Sequence, residues 1–538
     1  MRSRRAAAWT AILLSVAPVS GAFTASEAGA KAGACGRQGD ERISVNGTEP
    51  ETPLVPGNTT ETGGVKVIAA LFTGLVAYDS RTAAPRNAVA ESIRTSDSKV
   101  YTIRLKPGWT FHDGSPVTAK SFADAWNYTA YGPNAQGGAG FLHEIAGFGR
   151  VNGRKPTARR LSGLRVVDDR TLRVTLAKPS AVFALKLGAA AFMPLPRAFF
   201  ADRAAFEARP IGNGPFRFVS RRRDRNIVVQ RNEQYAGACR PSVKAVEFRF
   251  YKTLDAAYAA VVKNKLDFLE VAPSSALEGD RIESELPDRN LSETALVSQA
   301  LSFPLYDARF KDRRLRQAIS MAIDRKALIE QVFYGHKKPA DGYVPPTLPG
   351  YAKGQCGELC TYQPERARRM FEASGFAGPI ELTSNSDSAN RAWMETVCAS
   401  ITRALGRECR ISLIPTFAGF RTAVTAHKMS AIYRSGWVAD YPSIENFLNP
   451  TYRTGGSGND GLYSNRAVDR LLDRAGATRS ERQRNAVYRR AERLVLRDMP
   501  AIPLWFQTIQ SGWSTRLDDV VVTPLRELDL LRVTVSRP

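Results

Sequence analysis

Histidine is scarce in this chain: four residues among 538, none spaced with another histidine or with a cysteine as a metal-binding pair. With six cysteines and no Cys-x-x-Cys, a zinc site is not expected, and neither is any other cofactor. No G-x-S-x-G or H-E-x-x-H motif occurs, so a hydrolase would lack a recognisable nucleophile or metal-held water. Acidic residues are outnumbered, 52 against 76 basic ones, for a formal charge of +24. That balance invites nucleic acid as a partner. Yet the basic residues are spread along the chain, clustered only briefly as at Arg221, Arg222 and Arg223, and no nucleic-acid motif accompanies them. A solvated basic surface facing an anionic envelope is the reading kept. What is present is globular: 43% hydrophobic and 24% charged, over a length that calls for two or three lobes.

Long apolar runs are confined to the start. Arg2, Arg4 and Arg5 precede the apolar stretch 6–23, which Pro18 interrupts and small and polar residues follow, the layout of a secretory signal. Without a second such run, a multispanning membrane protein is excluded. Ala32-Gly33-Ala34-Cys35 resembles a bacterial lipobox, in which the Cys receives a lipid, although Ala stands where Leu is usual and the apolar run is distant. Lipidation of Cys35 is the expectation, with ordinary cleavage after Ala22 or Ala30 as the alternative. Export makes the other cysteines disulfide candidates. Cys356–Cys360 and Cys398–Cys409 are the expected pairs, each close in sequence, which leaves Cys35 and Cys239 over.

The stretch Tyr433 to Leu448, YRSGWVADYPSIENFL, sets a carboxylate, Asp440, and a guanidinium, Arg434, in apolar and aromatic surroundings. Charges so embedded need partners, and from residue types alone structural neighbours would serve. The run G-W-x-A-D-Y-P, Gly436 to Pro442, resembles the ligand-cleft signature of the oligopeptide- and dipeptide-binding proteins of ABC importers, solute-binding protein family 5. The resemblance implies that Asp440 holds the amino terminus of a bound peptide, that Arg434 faces a ligand carboxylate, and that Gly436 and Trp437 line the cleft. It also implies a cleft loop at Asn385 and a cleft rim at Glu61, while a basic position usual upstream is replaced near Thr425. Cys35 stands where the family's anchor Cys stands.

Most of the chain from Ser44 onward is similar to the same family, largely in scaffold residues. Ser44 to Pro50 reads as a strand and a turn at Asn46-Gly47, and 65–75 as a helix under the cleft. Val100 to Leu105 alternates as a strand ended by Lys106-Pro107-Gly108. Trp109 to Trp126 is the densest match: Asp113-Gly114 makes a turn, Thr118 a helix N-cap, and Phe122 and Trp126 share a helix face. His112 beside Asp113 has no nucleophile or third group and reads as part of the turn. A hairpin over 164–176 turns at Asp168-Asp169, and the glycines of Ile211 to Phe216 lack the Lys-Ser or Lys-Thr of a phosphate loop, so a turn between domains is expected. Leu315, Ala318, Ile319, Ala322 and Ile323 share one face of a helix over 312–329. Beyond it, strands at 380–385 and 411–414 alternate with helices at 364–375, 391–405, 465–476 and 480–497, and 501–506 returns as a strand.

The expected fold class is therefore α/β and periplasmic-binding-protein-like, two α/β lobes joined by a hinge with an extra inserted domain. By resemblance, 1–35 is the signal, 36–77, 208–300 and 501–538 form the first domain, 78–207 the second and 301–500 the third, with the cleft between first and third. The expected function is capture of peptides outside the cytoplasmic membrane by a monomer, lipid-anchored on its outer face or else periplasmic or extracellular. Delivery would be to a separate ABC permease and ATPase, since the chain has no ATP-binding motif. Two rivals stand beside it: the same scaffold binding a nickel chelate, a sugar or another solute, and a secreted hydrolase, which would yield cleavage products in place of recoverable ligand.

Overall fold

Two strands of 13 residues each, Asn290–Ser302 and Ala501–Trp513, run antiparallel through the middle of the computed structural model, which describes residues 33–35, 38–386 and 390–536. At about 3.3 Å per residue each spans roughly 40 Å, long enough to belong to both halves of the molecule. On one side Asn290–Ser302 hands on to Ile432–Val438, Ile380–Asn385 and Cys409–Ile414. On the other, Ala501–Trp513 hands on to Phe268–Leu269, Arg42–Gly47, Ala245–Phe250, Asn226–Arg231 and Phe216–Arg222. Lys338–Pro339 pairs with the same long strand and completes an eleven-stranded mixed sheet.

Two large hydrophobic cores flank this sheet. The first gathers Ile43, Val45, Leu71, Trp126, Phe183, Val246 and Phe248; the second gathers Ile319, Leu382, Trp393, Ile432, Phe447, Tyr488 and Trp505. A separate antiparallel sheet, ordered Ala90–Arg94, Val100–Leu105, Thr171–Thr175 and Leu164–Asp168, shares the first core. So does the helix Ala119–Ala130, whose entry is fixed by the Thr118 amide donating to Ser121 Oγ at 3.2 Å. Its Trp126 is completely buried, with Nε1 donating to the Phe192 carbonyl at 3.0 Å, so the polar end of a large apolar side chain is satisfied.

Several elements differ from their sequence reading for local reasons. Asn46 and Gly47 do not turn: they extend the strand Arg42–Gly47 opposite Arg249 and Phe250, and Asn46 Oδ1 accepts the Glu270 amide at 2.8 Å. The helix expected over 312–329 is two, Arg313–Met321 and Arg325–Phe333, because Asp324 starts a new one by accepting the Ala327 amide at 3.0 Å. The last strand runs on past Phe506 to Trp513, since its polar residues are bonded where they are buried: Gln510 Nε2 donates to the His336 carbonyl and Ser511 Oγ to the Glu270 carbonyl. His112, expected as part of the Asp113-Gly114 turn, instead ties that turn to the segment 211–216, its Nδ1 accepting the Gly212 amide and its Nε2 donating to the Gly214 carbonyl. Burial holds that imidazole down at about 4, so it stays neutral.

Three disulfides brace the chain: Cys356–Cys360, Cys398–Cys409 and Cys35–Cys239, the last with its Cα atoms 5.0 Å apart and a sequence separation of 204. The assignment of Cys35 as a lipid anchor is thereby corrected. A sulfur bonded to a second sulfur has no valence left for a lipid thioether, and the short parallel pairing of Gly33–Ala34 with Cys239–Arg240 sets Cys239 opposite Gly33, two residues before Cys35. The expected signal at 6–23 and the cleavage positions Ala22 and Ala30 lie outside the described residues. Among the described residues no helix is long and apolar enough to cross a membrane.

Candidate functional site

Ile432–Val438 lies parallel to Ile380–Asn385 and antiparallel to Asn290–Ser302, and the chain reverses at its carboxyl end. There Ala439 donates its amide to the Leu296 carbonyl at 2.9 Å, and Ser443 Oγ accepts the Glu445 amide to start the helix Ile444–Tyr452. Asn446, in the first turn of that helix, ties the reversal together. Its Oδ1 accepts both the Asp440 amide and Trp437 Nε1 at 3.0 Å, and its Nδ2 donates to Asp440 Oδ2 at 3.2 Å.

Asp440 is half-buried, and among the described residues no Lys or Arg forms a salt bridge with it. Burial pushes its carboxyl up to about 6; the Asn446 amide works against that rise, Glu445 adds to it and Lys186 opposes it. A partly desolvated carboxylate with one amide donor and spare lone pairs is equipped to take a cation. Tyr78, packed against the first core, faces the same region: burial and the Asp440 charge both raise its phenol, whose hydroxyl donates to the Leu185 carbonyl at 2.7 Å.

Beside Asp440 the two cores meet through charge. Lys186 Nζ lies 3.0 Å from Glu144 Oε1 and 3.1 Å from Glu445 Oε1, with the Lys186 and Glu445 side chains only 4% and 3% exposed. Glu445 also accepts from Tyr441 Oη at 2.5 Å and Asn449 Nδ2 at 2.7 Å. Despite its own burial, Lys186 is held protonated by the two carboxylates, and Lys186 with its neighbours holds the Glu445 carboxyl below its usual range.

The other residues named from sequence are distributed as follows. Gly436 lies where Asn290–Ser302 passes closely: a Cβ there would sit 2.5 Å from the Ser298 carbonyl oxygen. Trp437 is half-buried against the second core, and Arg434 lies over the Phe417 ring at 5.7 Å, four residues before the strand end. Asn385 is buried at the end of its strand and accepts from Asn390 Nδ2 at 3.1 Å. Glu61 is the N-cap of Thr62–Leu71, accepting the Gly64 amide at 2.7 Å, and burial raises its carboxyl. Thr425 closes the helix Phe417–Thr425, its hydroxyl donating back to the Arg421 carbonyl at 2.9 Å. A cavity of about 510 Å³ lies elsewhere, beside the crossing strands at Ser292, Thr294, His336, Lys337 and Thr508, and none of these named residues lines it.

Asn446, Glu445, Tyr78 and Lys186 were not named from sequence. Ser443 before Ile444 does mark a helix start, and it would have put Glu445 and Asn446 in the first turn beside Asp440. No comparable signal singles out Lys186.

A mixed sheet shared by two cores through two long crossing strands is the periplasmic-binding-protein fold. The chain belongs to the bacterial extracellular solute-binding proteins, family 5, whose model matches residues 84–459. It is 26% identical over 459 residues to the periplasmic oligopeptide-binding protein OppA of Escherichia coli K12, covering 81% of each chain. A second relative, the probable deoxycholate-binding periplasmic protein YgiS of the same organism, is 26% identical over 479 residues, covering 86% of this chain and 87% of the relative. Among solved structures, the Escherichia coli murein tripeptide binding protein MppA matches with a TM-score of 0.80 at 22% identity, over 93% of this chain and 99% of that one. The family consists of substrate-binding proteins, not enzymes.

Proposed function

We propose that this protein is the extracytoplasmic receptor of an ABC importer, capturing peptides between its two cores by their amino terminus at Asp440 and delivering them to a separate permease and ATPase. The observation that carries the reading is the Asp440 carboxylate itself: half-buried, oriented by Asn446 and free of any salt bridge among the described residues. An α-ammonium group supplies the charge it lacks. In the same reading Gly436 and Trp437 border the ligand backbone, Arg434 meets a ligand carboxylate, and Asn385 and Glu61 border the cleft through the elements they tie down. The chain divides into a first domain of 36–77, 208–300 and 501–538, a second of 78–207 and a third of 301–500. The protein is exported, and cleavage upstream of Gly33 keeps Cys35 for its disulfide.

The test is calorimetric titration of folded wild type and Asp440→Ala with a peptide and with its N-acetylated form. Removing one partner of a desolvated ion pair costs about 2 to 5 kcal/mol, so the variant is expected to bind roughly thirty to several thousand times more weakly. Unchanged affinity after both acetylation and mutation would show that Asp440 is no amine anchor. A second reading, a non-peptide solute in the same cleft, draws support from the similarity to the relative named for deoxycholate binding. That reading calls for the same titration with the bile acid, and an anionic ligand would gain affinity in Asp440→Ala where an amine loses it.

A further inference from the structure

We infer that Lys186 and Glu445 form a latch between the two cores, one that closes the cleft beside Asp440 without any contribution from ligand. The inference rests on the reading of this molecule as a binding protein that opens and closes.

Its first support is where the two residues are mounted. Lys186 ends the short helix Phe183–Lys186, held in the first core by Phe183 and Leu187. Glu445 opens the helix Ile444–Tyr452, held in the second core by Ile444 and Phe447. The 3.1 Å contact between them therefore joins parts 259 residues apart that have separate cores, and it is buried on both sides.

The second support is that each ion has a resident partner in its own half. Lys186 has Glu144, which lies between the first-core residues Leu142 and Ile145. Glu445 has the Tyr441 hydroxyl and the Asn449 amide. Separation thus leaves neither ion without a protein partner, and only the contact between halves is lost. In an ordinary core salt bridge, parting the ions strands both charges; here each half is already furnished for the open state. Further contacts cross the rim of the same seam. Lys178 reaches across to Asp473 at 3.2 Å, while Asp473 keeps Arg453 of its own half at 2.6 Å, and the Ala181 amide donates to the Gly476 carbonyl at 2.7 Å.

The third support is position. The latch borders the amine site, since Asp440 is separated from Glu445 by one turn of chain and feels the charges of both Glu445 and Lys186. Closing the seam brings the Lys186 ammonium, already paired with Glu144, up to Glu445 as the cleft closes over Asp440. These two residues are positioning residues for the site and need not touch ligand.

The experiment uses the mature protein without ligand. Small-angle scattering and amide hydrogen exchange are recorded on wild type, Lys186→Met, Glu445→Gln and the double variant, with melting temperatures alongside. A latch predicts a larger radius of gyration in each single variant, at least tenfold faster exchange at the Ala181 amide, and no further change in the double variant. Radii and Ala181 exchange equal to wild type in every folded variant would overturn the latch, even if melting temperatures fell. Should the variants not fold, wild type decides alone: an Ala181 amide exchanging at the rate of a solvent-exposed one in the unliganded protein also overturns it. Adding peptide separates this failure from that of the wider reading. Compaction of wild type on peptide binding with unaltered free variants removes only the latch, whereas no compaction in any form removes the closing motion on which it rests.

Discussion

Asp440 titrates in a range that its ordinary value would not reach, and this ties affinity to acidity. With its carboxyl near 6, acidification from neutral pH protonates the group and removes the charge that a peptide ammonium needs. Peptide dissociation constants should therefore be flat above about pH 7 and rise about fivefold from pH 6 to pH 5, approaching tenfold per unit below that. Stability runs the other way. A folded-state value above the unfolded one means that the native form binds more protons, so the contribution of this group is present at low pH and lost as pH rises through 6. Titrating affinity against pH in wild type and Asp440→Asn checks this, the variant being expected to be flat; a wild-type profile equally flat down to pH 5 would remove the ionised carboxylate from recognition. Asp440 was singled out in the sequence by its place in the run Gly436 to Pro442, which resembles the family's cleft signature; residue types alone would have been met by structural neighbours. Lys186 was not, because a lysine in an apolar run ordinarily extends its stem and keeps its head in water. Only the fold, which brings Glu144 and Glu445 to the same ammonium, gives it a reason to be buried.

At the scale of elements, periodicity located the strand Val100–Leu105 and the helix Ala119–Ala130 because their apolar spacing and end signals agree. It failed where long-range pairing overrides local chemistry. Asn46-Gly47 has the composition of a turn, but the neighbouring strand Ala245–Phe250 draws it into the sheet. Beyond Phe506 the final strand loses its apolar alternation, and its length follows from long-range pairing, Thr508–Gly512 with Asn290–Thr294 and Gly512–Trp513 with Phe268–Leu269. The segment Gly33–Ala34 is a similar case, since nothing in it signals a strand until Cys239–Arg240 lies alongside. That pairing carries a covalent prediction. The exported protein should retain Cys35, and its intact mass should rise on reduction by the hydrogens of three disulfides, with no lipid adduct on the peptide containing Cys35. A diacylglyceryl mass on that peptide would show that Cys35 carries a lipid and not the bridge to Cys239. Loss of the bridge in Cys239→Ser should cost stability on the order of 2 to 5 kcal/mol, because it closes a long loop.

Over the whole molecule, two cores are connected by two long strands, and ligand binding between them should change shape more than secondary structure. A ligand that contacts both halves favours the closed arrangement by the difference between its contacts in the two states. Scattering of Lys186→Met, in which the contact with Glu445 is lost, should accordingly show a smaller radius of gyration at saturating peptide than without it, while far-ultraviolet circular dichroism stays constant. Equal radii would mean that capture occurs without closure. Division into lobes was foreseeable from length alone, but the sharing of the first core between the large sheet and the four-stranded sheet was not. That depends on the side chains of Trp126, Phe183 and Phe248 meeting from distant parts of the chain.

Six cysteines can be joined in fifteen ways, and this fold uses the one in which every cysteine bonds to the next in sequence. A chain threaded through a membrane amino end first presents its thiols in that same order. Cys239 is the first thiol to follow Cys35, Cys360 the first to follow Cys356 and Cys409 the first to follow Cys398, so each native partner is the next to emerge. Oxidation in step with emergence thus reaches the native connectivity directly, and the order of the residues along the chain does the work that a disulfide isomerase performs for proteins whose bridges interleave.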